Sequence, residues 1–174
     1  MQLSLMPDAA DATFSTDGRY RYTLTRRWGG GAFVNFIMLN PSTADATADD
    51  PTVTRCCRRA RQWGYDGLVV TNLFAYRATD PRGLQTVDDP VGPGNNAVII
   101  NTARAAGLVV CAWGMHGAYQ ERGRAVAALL TVAEIPLHVL GFCQDGLQPR
   151  HPLYLPYAAA PVPWSLSLPP GRSL

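Results

Sequence analysis

The chain has 174 residues, enough to bury a sizeable hydrophobic core within a single domain. Its formal charge of +2 is too small to indicate a nucleic-acid-binding protein by itself, and all its basic residues other than histidine are arginines. Its four cysteines form no CxxC pair and have no companion histidines at zinc-ligand spacing, so we expect reduced thiols and no metal site.

Targeting and membrane signals are not apparent in the sequence. The N-terminus lacks a basic region followed by an apolar core, and no apolar run reaches the roughly 20 residues of a membrane-spanning helix. We therefore expect a soluble, cytoplasmic protein with no membrane partner, folded as one domain over residues 1–174. The sequence indicates no cofactor and leaves the oligomeric state open.

Residues 1–32 predict an entry hairpin. A turn at 16–18 leads into a segment in which Tyr20, Tyr22 and Leu24 alternate with arginine and threonine. Such alternation is typical of a strand with one wet face, so we expect an antiparallel hairpin at the edge of a buried sheet.

The apolar run 33–39 predicts the first strand of the core, buried on both faces. Pro41 has no backbone N–H and ends this strand, which leaves Asn40 at its C-terminal end. Asp50 followed by Pro51 is typical of a helix N-cap with proline at the first helical position. Arginines recur along the helix that follows: Arg55, Arg58, Arg59 and Arg61. They could bind phosphate or simply form a solvated face.

Three more buried strands are predicted downstream, separated by helices. The strands cover 68–74, 108–114 and 136–142, and the later helices cover 95–106 and 118–133. This order predicts an α/β three-layer sandwich with a central four-stranded, mostly parallel sheet and the hairpin at its edge. The α/β core spans 33–156, and the proline-rich tail 157–174 lacks periodicity and is expected to pack irregularly or to be frayed.

Polar and aromatic residues follow the predicted strands at the point where each one ends. The carboxyl ends of parallel strands meet at one edge of a sheet, where ligands bind, although polar loops occur there in any such fold. The candidates for binding a substrate at this edge are Pro41, Ser42, Asn72, Phe74, Tyr76, Arg77, Trp113 and His116, with Asn40 and His151 as candidates for catalysis.

Several of these residues also have structural explanations. Asn40 could cap its own turn, and His151 could be a turn histidine whose backbone is restricted by Pro152. His138 lies within an apolar run and is better explained as a core or edge histidine. The aromatic candidates could stack on a base or pack in the core. The aspartates of the loop 45–50 could hold a divalent cation, but loop solvation and capping explain them adequately.

Ordered motifs give the chain a family resemblance. The runs MLNPSTADATADDPTVTRC, WGYDGLVVTNLFAYRATDP, WGMHG and DGLQPRHPLYLP together resemble DUF1643, a bacterial and phage family of unknown function, over residues 14–156. That family name implies no activity.

A more distant likeness is to the uracil-DNA glycosylase superfamily. Asn40-Pro41 is similar to its GxNP motif, with Met38 in place of the glycine, and His151-Pro152 is similar to its terminal HP motif. This resemblance implies that Asn40 positions the attacking water, that His151 stabilises the departing base anion and that Phe74 stacks on the base. It also implies a basic surface for DNA phosphates, for which the candidates are Arg55, Arg58, Arg59 and Arg150.

Three functions remain open at this point. The first is hydrolysis of the N-glycosidic bond of a uracil-like or modified base in DNA. The second is a non-catalytic module that binds nucleic acid or a nucleotide. The third is a small-molecule nucleoside hydrolase or transferase. DNA or a nucleotide is therefore the expected partner.

Overall fold

The computed structural model describes residues 9–42 and 44–166. The beginning of the predicted hairpin, Thr43 and the end of the predicted tail lie outside these ranges. The strands are β1 (Ala9–Phe14), β2 (Arg21–Arg27), β3 (Val34–Met38), β4 (Gly67–Asn72), β5 (Leu108–Cys111), β6 (Leu137–Val139) and β7 (Val162–Trp164). The α-helices are α1 (Pro51–Gln62), α2 (Asn95–Ala105) and α3 (Arg122–Val132), and the 3₁₀ helices are Pro81–Thr86, Met115–Glu121 and Pro152–Tyr154.

The strands form one mixed, seven-stranded sheet in the order β1-β2-β4-β3-β5-β6-β7. Strands β4, β3, β5 and β6 are parallel neighbours, which are the strands expected from the sequence. The β1-β2 hairpin joins β4 antiparallel, so its predicted place at the edge of the core strands is confirmed. The sheet has more strands than the four that were predicted for its centre, because the hairpin and β7 extend the same sheet.

Strand β7 comes from the tail that was expected to be irregular. It pairs antiparallel with β6, and Pro163 lies opposite His138. A proline without an N–H is tolerated in an edge strand, and a strand of three residues is too short to show periodicity. The sequence pattern therefore carried no signal for it.

Helices cover both faces of the sheet. On one face α2 and α3 pack over Ile37 and neighbouring apolar residues, and on the other α1 packs over Phe36. Successive residues of β3 thus enter opposite cores, and every residue of this strand is buried, as its apolar run predicted. No helix among the described residues is long and apolar enough to span a membrane.

The start of α3 differs from the prediction. Tyr119 and Gln120 have non-helical backbone angles, so the helix begins at Arg122 rather than near residue 118. Arg122, the first residue of the helix, is only 7% exposed although it carries a charge. Its Nε donates to the Leu73 carbonyl oxygen (2.9 Å) and its Nη2 to Asn96 Oδ1 (2.6 Å). These long-range acceptors explain why a charged residue is buried here.

Candidate functional site

A cavity of about 660 Å³ lies at the carboxyl ends of β3 and β4. Its walls come from these strand ends, the first turn of α1, the loop after β5 and the segment 150–154. The volume is in the range of small-molecule sites, and the position is where open α/β sheets bind ligands. The predicted site residues that line it are Asn40, Ser42, Asn72, Trp113, His116, Arg150 and His151.

Other predicted site residues lie elsewhere. Phe74 is fully buried in the core, where its ring packs against Tyr119 with the centroids 5.7 Å apart. Tyr76 packs edge-on against Tyr20, and Arg77 extends over Phe14. Pro41 is buried and, like these three, is not part of the cavity wall. The chain after β4 turns back into the fold, so these side chains leave the edge at which the ligand site was expected.

Two arginines of α1, Arg55 and Arg59, bind the protein's own backbone. Arg59 is 0% exposed and donates to the carbonyl oxygens of Leu155 (2.8 Å) and Pro156 (3.2 Å). Arg55 also donates to the Leu155 oxygen (2.7 Å). The guanidinium groups of Arg55, Arg58 and Arg59 all lie over the ring of Tyr157. Arg59 was a candidate for contact with DNA phosphates, but its burial makes it unavailable to them. The cluster instead anchors the segment 152–157 to α1.

The position of Arg59 on α1 is a sequence signal for its burial, but the structure is needed to interpret it. Val53, Cys56 and Ala60 are the buried apolar residues of α1, and Arg59 lies on the same side of the helix. The acceptors are far away along the chain, at a separation of 96 residues for Leu155. Arg58 and Arg150 remain exposed.

Asn40 follows β3 and lines the cavity. Its Nδ2 donates to the carbonyl oxygens of Ala78 (2.6 Å) and Pro41 (3.0 Å). Carbonyl oxygens only accept hydrogen bonds, so they fix which side of the amide is the nitrogen. The amide oxygen Oδ1 is then the group of Asn40 that can accept a hydrogen bond from a ligand or a water.

Asp50 lines the cavity, although the sequence identified it as a helix cap and not as a residue of the site at the strand ends. The predicted cap is confirmed, because Asp50 Oδ1 accepts from the Val53 N–H (2.8 Å) and Pro51 is the first residue of α1. The other carboxylate oxygen accepts from the Ser42 hydroxyl (3.0 Å). The helix end thus places a carboxylate, hydrogen-bonded to Ser42, on the cavity wall.

His151 caps the 3₁₀ helix Pro152–Tyr154. Its Nδ1 accepts from the Leu153 N–H (3.2 Å), so a neutral ring carries its proton on Nε2. Burial lowers the pKa of His151 below its usual value of 6.5, although the nearby charge of Asp50 opposes this shift. Near neutral pH the residue is therefore an uncharged hydrogen-bond donor through Nε2.

Asn72 ends β4 and has the most unusual environment in the cavity wall. The residue is 1% exposed, and neither its Nδ2 nor its Oδ1 has a hydrogen-bond partner. Its backbone is held firmly, because Asn95 Nδ2 donates to the carbonyl oxygens of Asn72 (3.0 Å) and Leu73 (3.3 Å). A buried amide without partners costs about 1–3 kcal/mol, which makes Asn72 a candidate for contact with a ligand.

Arg21 is a cavity residue that the sequence did not suggest. It begins β2, is 3% exposed and donates through Nη1 to the Ala44 carbonyl oxygen (2.5 Å), while its Nε has no partner. Burial lowers the pKa of Arg21 to about 10, with Asp50 opposing the shift. Arg21 belongs to a hairpin strand with alternating polarity, a pattern that predicted an exposed arginine.

Trp113 forms a fully packed part of the wall. It is 2% exposed, and its Nε1 donates to Gln148 Oε1 (2.9 Å). Its ring lies directly against the second residue of α3, Gly123, where an added Cβ would approach Trp113 Nε1 to 2.6 Å.

Gly123→Ala should therefore destabilise the protein, although alanine is the better helix former by about 1 kcal/mol. We expect a net loss of about 1–2 kcal/mol from overpacking against Trp113, measured by urea denaturation. Gly30→Ala is the control, since nothing lies within 4 Å of a Cβ at that position. A stabilised Gly123→Ala variant would contradict the packing described here.

Metal binding finds no support in the described ranges 9–42 and 44–166, where no group of three His, Cys, Asp or Glu residues is arranged to hold an ion. The aspartates of the loop 45–50 have other partners. Asp45 accepts from the N–H groups of Thr47 (2.9 Å) and Ala48 (2.7 Å), and Asp49 pairs with Arg26 (2.8 Å). Cys56, Cys111 and Cys143 are free thiols, as predicted.

The profile of a protein family described as "Protein of unknown function (DUF1643)" matches residues 21–153, which is most of the chain. The chain belongs to this family. The match includes β2, with Arg21, and extends to His151 and Leu153, so the residues of the cavity wall lie almost entirely within the DUF1643 region. Comparisons with curated proteins and with solved structures gave no match. The likeness to uracil-DNA glycosylases therefore remains a prediction from motifs.

Proposed function

We propose that this DUF1643 protein binds a nucleobase in the cavity and hydrolyses the N-glycosidic bond that joins the base to its sugar. The observation that carries the proposal is the buried, unpartnered amide of Asn72 in the wall of a nucleoside-sized cavity. An asparagine amide offers a donor beside an acceptor. This pair matches the edge of a base that presents the complementary groups side by side.

The cavity wall is partly apolar. Met38, Val70, Val53 and Cys56 line it together with the polar groups. An apolar surface with a few convergent polar groups is typical of small-molecule sites. A base packed against these side chains with its edge at Asn72 would be oriented within the cavity.

The polar residues supply the groups that glycosidic hydrolysis requires. Water adds through its oxygen to C1′ of the sugar while the bond from C1′ to the base nitrogen breaks, and the electron pair of that bond leaves with the base. In our proposal Asn40 Oδ1 accepts a hydrogen bond from this water, and one water proton passes to the Asp50 carboxylate. The neutral His151 donates from Nε2 to the base anion, which finally takes up the proton held by Asp50.

The structure also favours a second candidate, a module that binds without turnover. Both hydrogen bonds of Asp50 are accounted for by the cap of α1 and by Ser42, so its presence has a purely structural explanation. The burial of Arg59 and the internal bond of Arg55 remove part of the basic surface expected for DNA. Free nucleosides and nucleotides therefore belong in any test beside DNA.

Release of free base is the deciding measurement. We would incubate the protein with DNA containing uracil or modified pyrimidines, and separately with nucleosides and nucleotides, and quantify released base by chromatography. Asn72→Ala should lower kcat/KM by roughly 10- to 100-fold, because a bidentate contact to a base is worth about 1–3 kcal/mol. The control is Asn101→Ala, which removes an exposed asparagine of α2.

The outcomes separate the candidates. Binding of a nucleoside or nucleotide without release of base would select the binding module. A wild-type protein that neither binds nor cleaves any of these compounds would refute both. Equal rates for Asn72→Ala and Asn101→Ala would remove Asn72 from the site.

A further inference from the structure

The cavity contains a buried positive charge that the proposed reaction does not use. The guanidinium of Arg21 is 3% exposed and forms part of the cavity wall, and its Nε has no hydrogen-bond partner. A buried cation is costly unless an anion or several acceptors compensate it. The Ala44 carbonyl oxygen is the acceptor that the described structure gives to Arg21.

Arg26 is a natural comparison because it lies on the same strand and is buried to a similar degree. It is 7% exposed and has a full set of partners: Asp49 Oδ1 (2.8 Å), the Asp45 carbonyl oxygen (2.8 Å) and the Thr25 carbonyl oxygen (2.8 Å). Arg26 does not line the cavity. Both arginines hold the loop 44–49, but only Arg21 does so from the cavity wall with a donor left over.

Asp50 is the carboxylate among the described residues of the cavity wall, and it does not remove the need for an anion. Asp50 accepts from the Val53 N–H and lies at the positive end of the α1 dipole, and its other oxygen accepts from Ser42. Asp50 stabilises the charge of Arg21 only in part, because burial still lowers the pKa of Arg21 overall. Arg150 adds a further positive charge on the exposed part of the wall.

We propose that Arg21 forms an anion subsite and that the ligand of the cavity is a mononucleotide, whose phosphate lies against Arg21 while its base lies against Asn72. This inference rests on the proposed function and narrows its substrate class. A guanidinium is well suited to phosphate because its donors form a rigid, planar fork. Since Arg21 lies inside the wall rather than at the surface, it suits a phosphate that enters with the ligand better than the backbone of a long DNA strand.

Binding assays with inorganic phosphate, uridine and uridine 5′-monophosphate test this subsite. Calorimetry and thermal denaturation would be run on the full chain and on Arg21→Gln, Arg21→Lys and Arg26→Gln. We expect phosphate to raise the melting temperature of the wild type. The monophosphate should bind about 10-fold more tightly than the nucleoside, because hydrogen bonds between charged groups are stronger than those between neutral groups. Arg21→Gln should abolish both the rise in melting temperature with phosphate and the preference for the monophosphate, whereas Arg26→Gln should keep both effects.

Arg21→Lys guards against a folding defect, since it keeps the charge and should keep part of the preference for the monophosphate. The inference is overturned if the wild type binds nucleoside and monophosphate equally, if Arg21→Gln and Arg26→Gln lose the preference alike, or if a DNA strand binds more tightly than the mononucleotide. Binding of inorganic phosphate through Arg21 without binding of any nucleoside or nucleotide would overturn both the mononucleotide assignment and the proposed function. An Arg21-dependent preference for the monophosphate without release of base would overturn the proposed hydrolysis and support this inference. The two proposals can therefore fail separately.

Discussion

Arg59→Met should lower the free energy of unfolding by about 3 kcal/mol, because hydrogen bonds from a charged donor contribute about 1.5–3 kcal/mol each. The substitution keeps much of the buried aliphatic volume but removes the donors to the carbonyl oxygens of Leu155 and Pro156. The Leu155 oxygen keeps its bond from Arg55, which moderates the loss. Urea denaturation followed by circular dichroism measures the change.

Arg58→Met is the matched control for this experiment. Arg58 belongs to the same helix and lies over the same ring of Tyr157, at 4.0 Å from its centroid, but it is exposed. An exposed cation beside a ring contributes only about 0.5–1 kcal/mol. Similar losses for the two variants would show that the internal hydrogen bonds of Arg59 contribute little.

His151→Ala should reduce the turnover of the proposed glycosidic reaction by about 100- to 1000-fold, as is typical when a donor to a developing anion is removed. The affinity for the substrate should change far less, because the bond from Nε2 strengthens as the base becomes an anion. Single-turnover kinetics with a cleavable substrate separate the two effects. His138→Ala, on β6 and outside the cavity wall, is the control and should retain activity within a few-fold of wild type.

The pH profile provides the distinguishing signature for His151. Burial lowers its pKa, so the ring is neutral above pH 6.5 and gains a proton only as the pH falls through the lowered value. The added proton lies on Nδ1, where the Leu153 N–H now donates, so protonation breaks this hydrogen bond and displaces the ring, although Nε2 keeps its hydrogen. Wild-type kcat/KM should therefore fall on the acid side, and His151→Ala should lose the part of this limb due to the imidazole.

The lowered pKa of His151 also makes the free energy of unfolding depend on pH. Because the folded-state pKa lies below the unfolded value, the neutral His151 contributes stability above pH 6.5, and this contribution decreases as the pH falls below it. If the acid-side fall of kcat/KM is identical in wild type and His151→Ala, the proposed role of His151 is wrong.

The local features of the chain were predictable because their causes are local. Pro41 ends β3, and Asp50 with Pro51 starts α1, through backbone rules that act over a few residues. The parallel order of the core strands followed from their alternation with helices. Together these features located the cavity edge and placed Asn40 and His151 at it.

The distribution of buried polar groups could not be predicted in the same way. Arg21, Arg59 and Arg122 are all buried, and each donates to a backbone oxygen at least 23 residues away. Hydrophobic periodicity cannot reveal such pairings, because it classes every arginine as polar and therefore assigns it to the exposed face of a helix or strand. The same limit applies to Asn72, whose importance lies in the partners that it lacks.

Asn72 is held in place by residues that no ligand in the cavity would touch. Asn95 and Arg122 both donate to backbone oxygens just beyond β4, one from the first turn of α2 and the other from the first residue of α3. Under the proposed function, base recognition by Asn72 therefore depends on residues on the other side of the sheet. Substitutions of Asn95 or Arg122 would then alter base recognition in this protein while the composition of the cavity wall stays the same.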